Sequence, residues 1–224
     1  MPSARGFALL DQVADRLLTG GPQSTPPRLR SEALALVQAE SLVDAAYSYE
    51  IVELDRPAAK TDPLLRVGGT TLAASRLIPE SGELTALACA VATIGNRIEE
   101  RISSLFAEKR PSLALALDEI ANLLLFAAAH HATDQIQAEV IRRKLTLAGE
   151  LRAGDPGLDL EEQGTVLRLA QAQTIGVGLT ESQVMTPLKS VSLVLGVGLD
   201  LPPATWSRCD HCASRAKGKC RLWR

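Results

Sequence analysis

A chain of 224 residues, 46% hydrophobic and 22% charged with a formal net charge of −2, can hold one sizeable domain with or without appendages. It lacks the basic field of a nucleic-acid protein, and an aromatic content of 3% leaves little for a base-stacking platform. The longest apolar run, residues 120–129, contains Asn122 and falls short of the roughly 20 residues that span a bilayer, so no membrane partner is expected.

Residues 7–19 carry Phe7, Leu9, Leu10, Val13, Leu17 and Leu18 at helical spacing. Asp11 and Asp15 interrupt the apolar face, which predicts an amphipathic helix instead of a signal peptide and a cytoplasmic protein. A Gly/Pro-rich linker over 20–27 leads to a second helix over about 30–46. Residues 1–47 thus form an N-terminal helical segment, ahead of an α+β domain over 48–205 and a cysteine-bearing tail over 206–224.

Residues 48–54 alternate and predict a strand. Gly68 and Gly69 mark a hairpin in 65–73, where two positive φ angles suit a tight turn. Residues 85–94 are small or β-branched and predict a buried central strand. Its Cys89 is expected to be a small buried hydrophobe, not a nucleophile. Asn96 is placed to cap the following helix.

Pro111 can open a long helix reaching about Leu145, apolar nearly all round in its first half and hence sandwiched between other elements. Asp118 and Glu119 are expected to face solvent near its start, with an interior ligand role as the alternative. His130 and His131 point about 100° apart on a helix and are poorly placed to chelate together. Residues 151–160 form an irregular Gly/Pro-rich loop, and Asp159 is placed to cap a helix over 160–171. An arginine leading such a loop, Arg152, is suited to holding a carboxylate, although a plain surface loop has the same composition.

Thr180, Glu181 and Ser182 offer a helix start that Pro187 would stop. Residues 190–197 then predict a buried strand, with the polar turn 186–190 presenting Lys189 and backbone donors at its entrance. In the tail, Cys209 and Cys212 have the spacing at which two thiolates reach one metal, and Cys220 can fold back across Gly218. With His211 or an outside ligand they could complete a zinc site or hold an iron–sulfur cluster. A free tail with reduced cysteines is the alternative.

The stretch 176–196, the strand end Ala92-Thr93-Ile94-Gly95 and the closing cysteine tail resemble the activation domain of cobalamin-dependent methionine synthase, and still more its small stand-alone relatives. The resemblance implies an α+β fold, with a long buried helix and shorter helices packed on a mixed or antiparallel sheet. Strands near 48–54, 65–73, 85–94 and 190–198 would build that sheet. It implies that S-adenosylmethionine is bound for reductive methylation of cob(II)alamin carried by a corrinoid protein or methyltransferase. A flavodoxin-like or other donor would supply the electron. The implied cofactor contacts are Arg152, Gly154, Pro156, Gly157, Leu158, Pro187, Lys189 and Ser190. This sequence has one residue more between Arg152 and Pro156 than the family pattern, and Leu158 where that pattern has tyrosine. The alternative implied role is a non-catalytic corrinoid-protein-binding module whose cysteine tail carries a metal or cluster. A purely structural α+β protein with a zinc-pinned tail is a third.

Overall fold

The computed structural model describes residues 6–19, 25–58 and 62–206. Helices α1 (Gly6–Thr19) and α2 (Pro27–Ala39) precede strand β1 (Ala46–Glu53), the hairpin β2 (Leu64–Val67) and β3 (Thr70–Ala73), and strand β4 (Glu83–Thr93). Helices α3 (Arg97–Ala107) and α4 (Pro111–Arg142) follow, then β5 (Thr146–Leu151), α5 (Gln163–Leu169), the short ribbon β6 (Gly178–Leu179) and β7 (Met185–Thr186), and β8 (Ser190–Leu199). The fold is α+β: one four-stranded antiparallel sheet ordered β1-β4-β8-β5, a long helix and shorter helices.

Strand β4 is central because both of its faces are apolar. Side chains alternate across a strand, so Ala86, Ala88, Ala90 and Ala92 face one core while Leu87, Cys89 and Val91 face another. The alanine face lies against α4, which contributes its own buried alanines, among them Ala121, Ala128 and Ala132. Small side chains on both partners let helix and sheet approach closely. Leu9 and Val13 of α1 and Ala33 and Val37 of α2 pack into this same core. The opposite face of the sheet is covered by the β2–β3 hairpin, α5 and the loop after β5.

Helix α4 begins at Pro111, as its fixed φ favours, and ends at Arg142. By length and composition it could cross a membrane. Here Leu113, Leu117, Ile120, Leu124, Ile136 and Val140 are buried in the protein core.

Several local expectations are corrected. The hairpin forms its own two-stranded sheet, linked to the end of β1 by a single bridge between Leu54 and Val67, and β5, which shows no clear strand pattern, takes the fourth place in the main sheet. Asn96 precedes α3 without a side-chain cap and instead donates to Glu100 at 2.9 Å. Asp159 makes no side-chain cap either, and a 3-10 turn, Leu160–Glu162, leads into a shorter α5. Thr180, Glu181 and Ser182 start no helix. They lie in the β6–β7 connection, where Thr180 Oγ1 accepts the Val184 N–H at 3.1 Å.

One polar contact joins β1 to α4. Tyr49 donates its hydroxyl to Glu139 Oε2 at 2.7 Å, and Arg143 pairs with the same carboxylate. Burial first, then the Glu139 bond, pushes the Tyr49 phenol up to about 12. The Tyr49 bond, ahead of Arg143, lowers the Glu139 carboxyl below its usual value. A depressed carboxyl contributes stability that is present above its unfolded pKa, about 4.3, and is lost as pH falls through the folded value. A raised phenol contributes stability that is present below about 10 and lost as pH rises through about 12. Tyr49→Phe is therefore expected to cost about 1–2 kcal/mol in urea unfolding at pH 7 and less at pH 3.5. An equal cost at both values would show that the contribution of the hydroxyl does not depend on the charge of Glu139.

Candidate functional site

The candidate site is built along one face of α4. Asp118, Asn122 and Phe126 are four residues apart, so their side chains stack along the helix over about 12 Å. Two loops close on this stripe from elsewhere in the chain. The turn before β8 brings Lys189, whose Nζ donates to Asp118 Oδ1 at 2.6 Å and to Asn122 Oδ1 at 2.9 Å. The loop after β5 brings Arg152, whose Cζ lies 5.5 Å from the Phe126 ring centroid.

Both cations are held. The Lys189 side chain is 13% exposed, against 42% for Asp118. Asn122 completes a triangle by donating to Asp118 Oδ2 at 3.1 Å. Arg152 is 15% exposed and donates to Glu150 Oε1 through Nε at 3.2 Å and a terminal nitrogen at 3.0 Å. Arg152 and Lys189 thus sit near the same helix face, each beside a carboxylate, with Phe126 as the aromatic surface.

The turn carrying Lys189 is fixed from within. The Thr186–Pro187 peptide is cis. Ser190 Oγ lies 2.6 Å from the Pro187 carbonyl oxygen and 2.9 Å from Thr93 Oγ1. The Lys189 carbonyl accepts the Ile94 N–H at 3.1 Å. Ser190 is buried, so its hydroxyl shapes the turn from inside, whereas Leu188 is 57% exposed at the tip.

The loop carrying Arg152 is also self-bonded. Asp155 Oδ2 accepts the Arg152 N–H at 2.8 Å, and the Gly154 N–H bonds the Leu158 carbonyl at 2.9 Å. The Asp155 and Leu158 amides are likewise engaged within the loop. These donors are not outward-facing. Gly154 takes a φ of +90°, and a Cβ there would meet nothing within 4 Å, so the loop has open space at that point. Pro156 is exposed, and Gly157 lies against Arg76.

Leu158 is not brought to the site. It is fully buried in the second core, among residues such as Leu151 and Val166. A tyrosine there would overfill a packed interior, so the substitution would first disturb the loop's anchor.

Asp118 and Glu119 do not serve the helix dipole, because the first turn of α4 contains no acidic residue. Asp118 binds Lys189, and Glu119 accepts the Thr25 hydroxyl at 2.5 Å. His131 packs edge-on against the Tyr47 ring, with centroids 5.5 Å apart, and His130 is exposed. Among the described residues, no group of three or more His, Cys, Asp or Glu could hold a metal. Cys209, His211, Cys212 and Cys220 lie outside the described residues.

Phe126, Glu150, Asp118 and Asn122 are the site residues that the sequence reading did not assemble. The four-residue spacing of Asp118 and Asn122 within an apolar helix is the signal that could have found the stripe. Nothing comparable marks Glu150, which lies in the unrecognised β5.

Cys89 is buried at the centre of β4, and desolvation pushes its thiol up to about 12. It is expected to resist maleimide at pH 8 until the protein is denatured. Labelling of Cys89 in the native protein at the rate of a free thiol, read by peptide mass, would contradict this packing.

No family profile matches the sequence, and no curated protein matches it. Among solved structures, the chain is similar to the crystal structure of the MetH reactivation domain bound to AdoHcy, with a TM-score of 0.62 and 14% identity. The match covers 97% of this chain and 85% of that one. The likeness is one of fold: the long helix and antiparallel sheet are arranged as in a methionine synthase activation domain.

Proposed function

We propose that this protein is a reactivation partner of a corrinoid-dependent methyltransferase or split methionine synthase, and that it binds S-adenosylmethionine on the α4 face between residues 152–158 and 186–190. The observation that carries the reading is the convergence of Arg152, Glu150 and Phe126 with Lys189, Asp118 and Asn122 on one helix face. It gains support from the fold it shares with a reactivation domain solved with AdoHcy.

The residues present fit that ligand by their donor chemistry. Arg152 supplies a planar fork suited to a carboxylate. Glu150 and Asp118 supply negative charge for an ammonium or sulfonium. Phe126 supplies a ring that attracts cations and can stack on a flat base. Open space at Gly154 leaves room beside Arg152. When bound, S-adenosylmethionine supplies the methyl group that, with one electron from a flavodoxin-like or other donor, returns cob(II)alamin on the partner to its methylated form. The contribution of this chain is positioning: its charges orient the ligand and its rigid turns hold that orientation.

One observation favours the second reading, a corrinoid-protein-binding module without a working methyl-donor site. Leu158 faces the core, so it offers the ligand no side chain. Anaerobic calorimetric titration with S-adenosylmethionine separates the two. Binding in the micromolar range, about −8 kcal/mol, supports reactivation. Absence of heat up to millimolar ligand, with the protein folded, overturns it. Capture of a purified corrinoid protein then tests the module.

A further inference from the structure

The loop bearing Arg152 is gripped from both sides by two residues that lie outside α4. Arg76 lies in a 3-10 turn, Ser75–Leu77, anchored in the second core by Leu77. Trp206 is half-buried against the same core.

At the near end of the loop, Gly149 takes a φ of +70° where the pairing of β5 with β8 shifts register. A Cβ on Gly149 would come within 2.9 Å of Leu77 and 3.0 Å of Trp206. The indole therefore lies directly on the β5 backbone, three residues before Arg152. At the far end, Gly157 takes a φ of +94°, and a Cβ there would stand 2.8 Å from Arg76 Cγ and 3.1 Å from Cδ. The Arg76 stem thus covers the loop backbone directly. The two gripping residues also hold each other: Trp206 Nε1 donates to the Arg76 carbonyl oxygen at 3.2 Å, and Arg76 Cζ sits 5.4 Å from the indole centroid.

We propose that Arg76 and Trp206 form a clamp that positions the Arg152–Leu158 loop, making them positioning residues for the ligand that Arg152 holds. The clamp explains why both flanking positions are glycine. Each needs a positive φ, and each must admit a neighbouring side chain at a distance that a Cβ would obstruct. It also ties the loop to residue 206, far along the chain. The effect on ligand rests on the proposed function; the ordering of the loop does not.

The test is hydrogen exchange of the 224-residue protein followed on peptides covering 152–158 and 83–93. Arg76→Ala is expected to speed exchange in the loop at least tenfold while leaving β4 unchanged. Arg76→Lys, which keeps the stem that covers Gly157, is expected to restore most of the protection. Should Arg76→Ala fail to fold, Trp206→Phe, which removes the indole donor and the ring edge that lies on Gly149, is expected to move the loop in the same direction by a smaller factor. Unchanged loop exchange in the folded variants overturns the clamp, and so does equal acceleration in loop and β4, which would mean general loss of stability. Calorimetry with S-adenosylhomocysteine supplies the second readout, with affinity expected to fall about tenfold in Arg76→Ala and to recover in Arg76→Lys. If the wild-type protein binds no ligand, the proposed function fails while the exchange data still decide the clamp.

Discussion

Arg152→Ala is expected to weaken binding of S-adenosylhomocysteine by roughly 30- to 150-fold, about 2–3 kcal/mol. The reasoning begins with the fork. A guanidinium can offer a carboxylate two parallel charge-assisted bonds, each stronger than a neutral one. In this site it is pre-aimed by Glu150 on one side and the Phe126 ring on another. Its side chain is only 15% exposed, so water competes weakly for it and little ordering remains to be done on binding. Arg152→Lys keeps the charge but loses the fork and its stacking on Phe126, and should fall between wild type and Arg152→Ala. Stability should change little, because Glu150, left behind, is 29% exposed and can be hydrated. Calorimetry in low-salt buffer measures all three proteins. Wild-type affinity in Arg152→Ala would remove the basis for placing the ligand on this face.

The parts of the fold that were legible in the sequence are those whose pattern is decided by burial on both sides. Strands β4 and β8 appear as continuous apolar runs because each is covered by packing layers on both faces. Helix α4 is legible for the same reason, and Pro111 marks its start. Gly68 and Gly69 mark the hairpin because both take positive φ. Strand β5 was illegible because it is an edge strand, half-buried through most of its length and broken by a register shift near Gly149. Period-two alternation cannot survive in six residues interrupted in that way. The segment at Thr180 misled because a polar triplet suits a turn as well as a helix start. At the site, the two loops were found from their residue types, but their meeting on α4 depends on tertiary placement. Asp118 and Asn122 could be read as breaks in an apolar helix; only the fold shows that they receive Lys189. The direction of Leu158 is equally tertiary, since an apolar residue in a loop can face a ligand or a core.

Leu124→Ala is expected to destabilise the protein by about 2–5 kcal/mol, and Leu115→Ala by no more than about 0.5 kcal/mol. Both are leucines of α4, nine positions apart, with identical chemistry removed. Leu124 is fully buried between the sheet and the other helices, whereas Leu115 is 60% exposed. Truncating Leu124 leaves a cavity that neighbouring side chains, including many alanines, have little length to fill. For a domain of this size, about 3 °C of melting temperature accompanies each kcal/mol, so the expected fall is roughly 6–15 °C against 2 °C or less. The contrast also tests what α4 is. An apolar helix surrounded by lipid would treat the two leucines alike, because each would face a hydrocarbon neighbour. A helix buried in its own protein must distinguish them, since only one is enclosed. The same enclosure keeps Asp118, Asn122 and Phe126 at fixed positions on the remaining face, so a Leu124→Ala protein that is still folded at 25 °C should bind S-adenosylhomocysteine more weakly as it loosens. Equal melting temperatures for the two variants would contradict the packing of α4 against the sheet, and with it the rigid face on which the site is built.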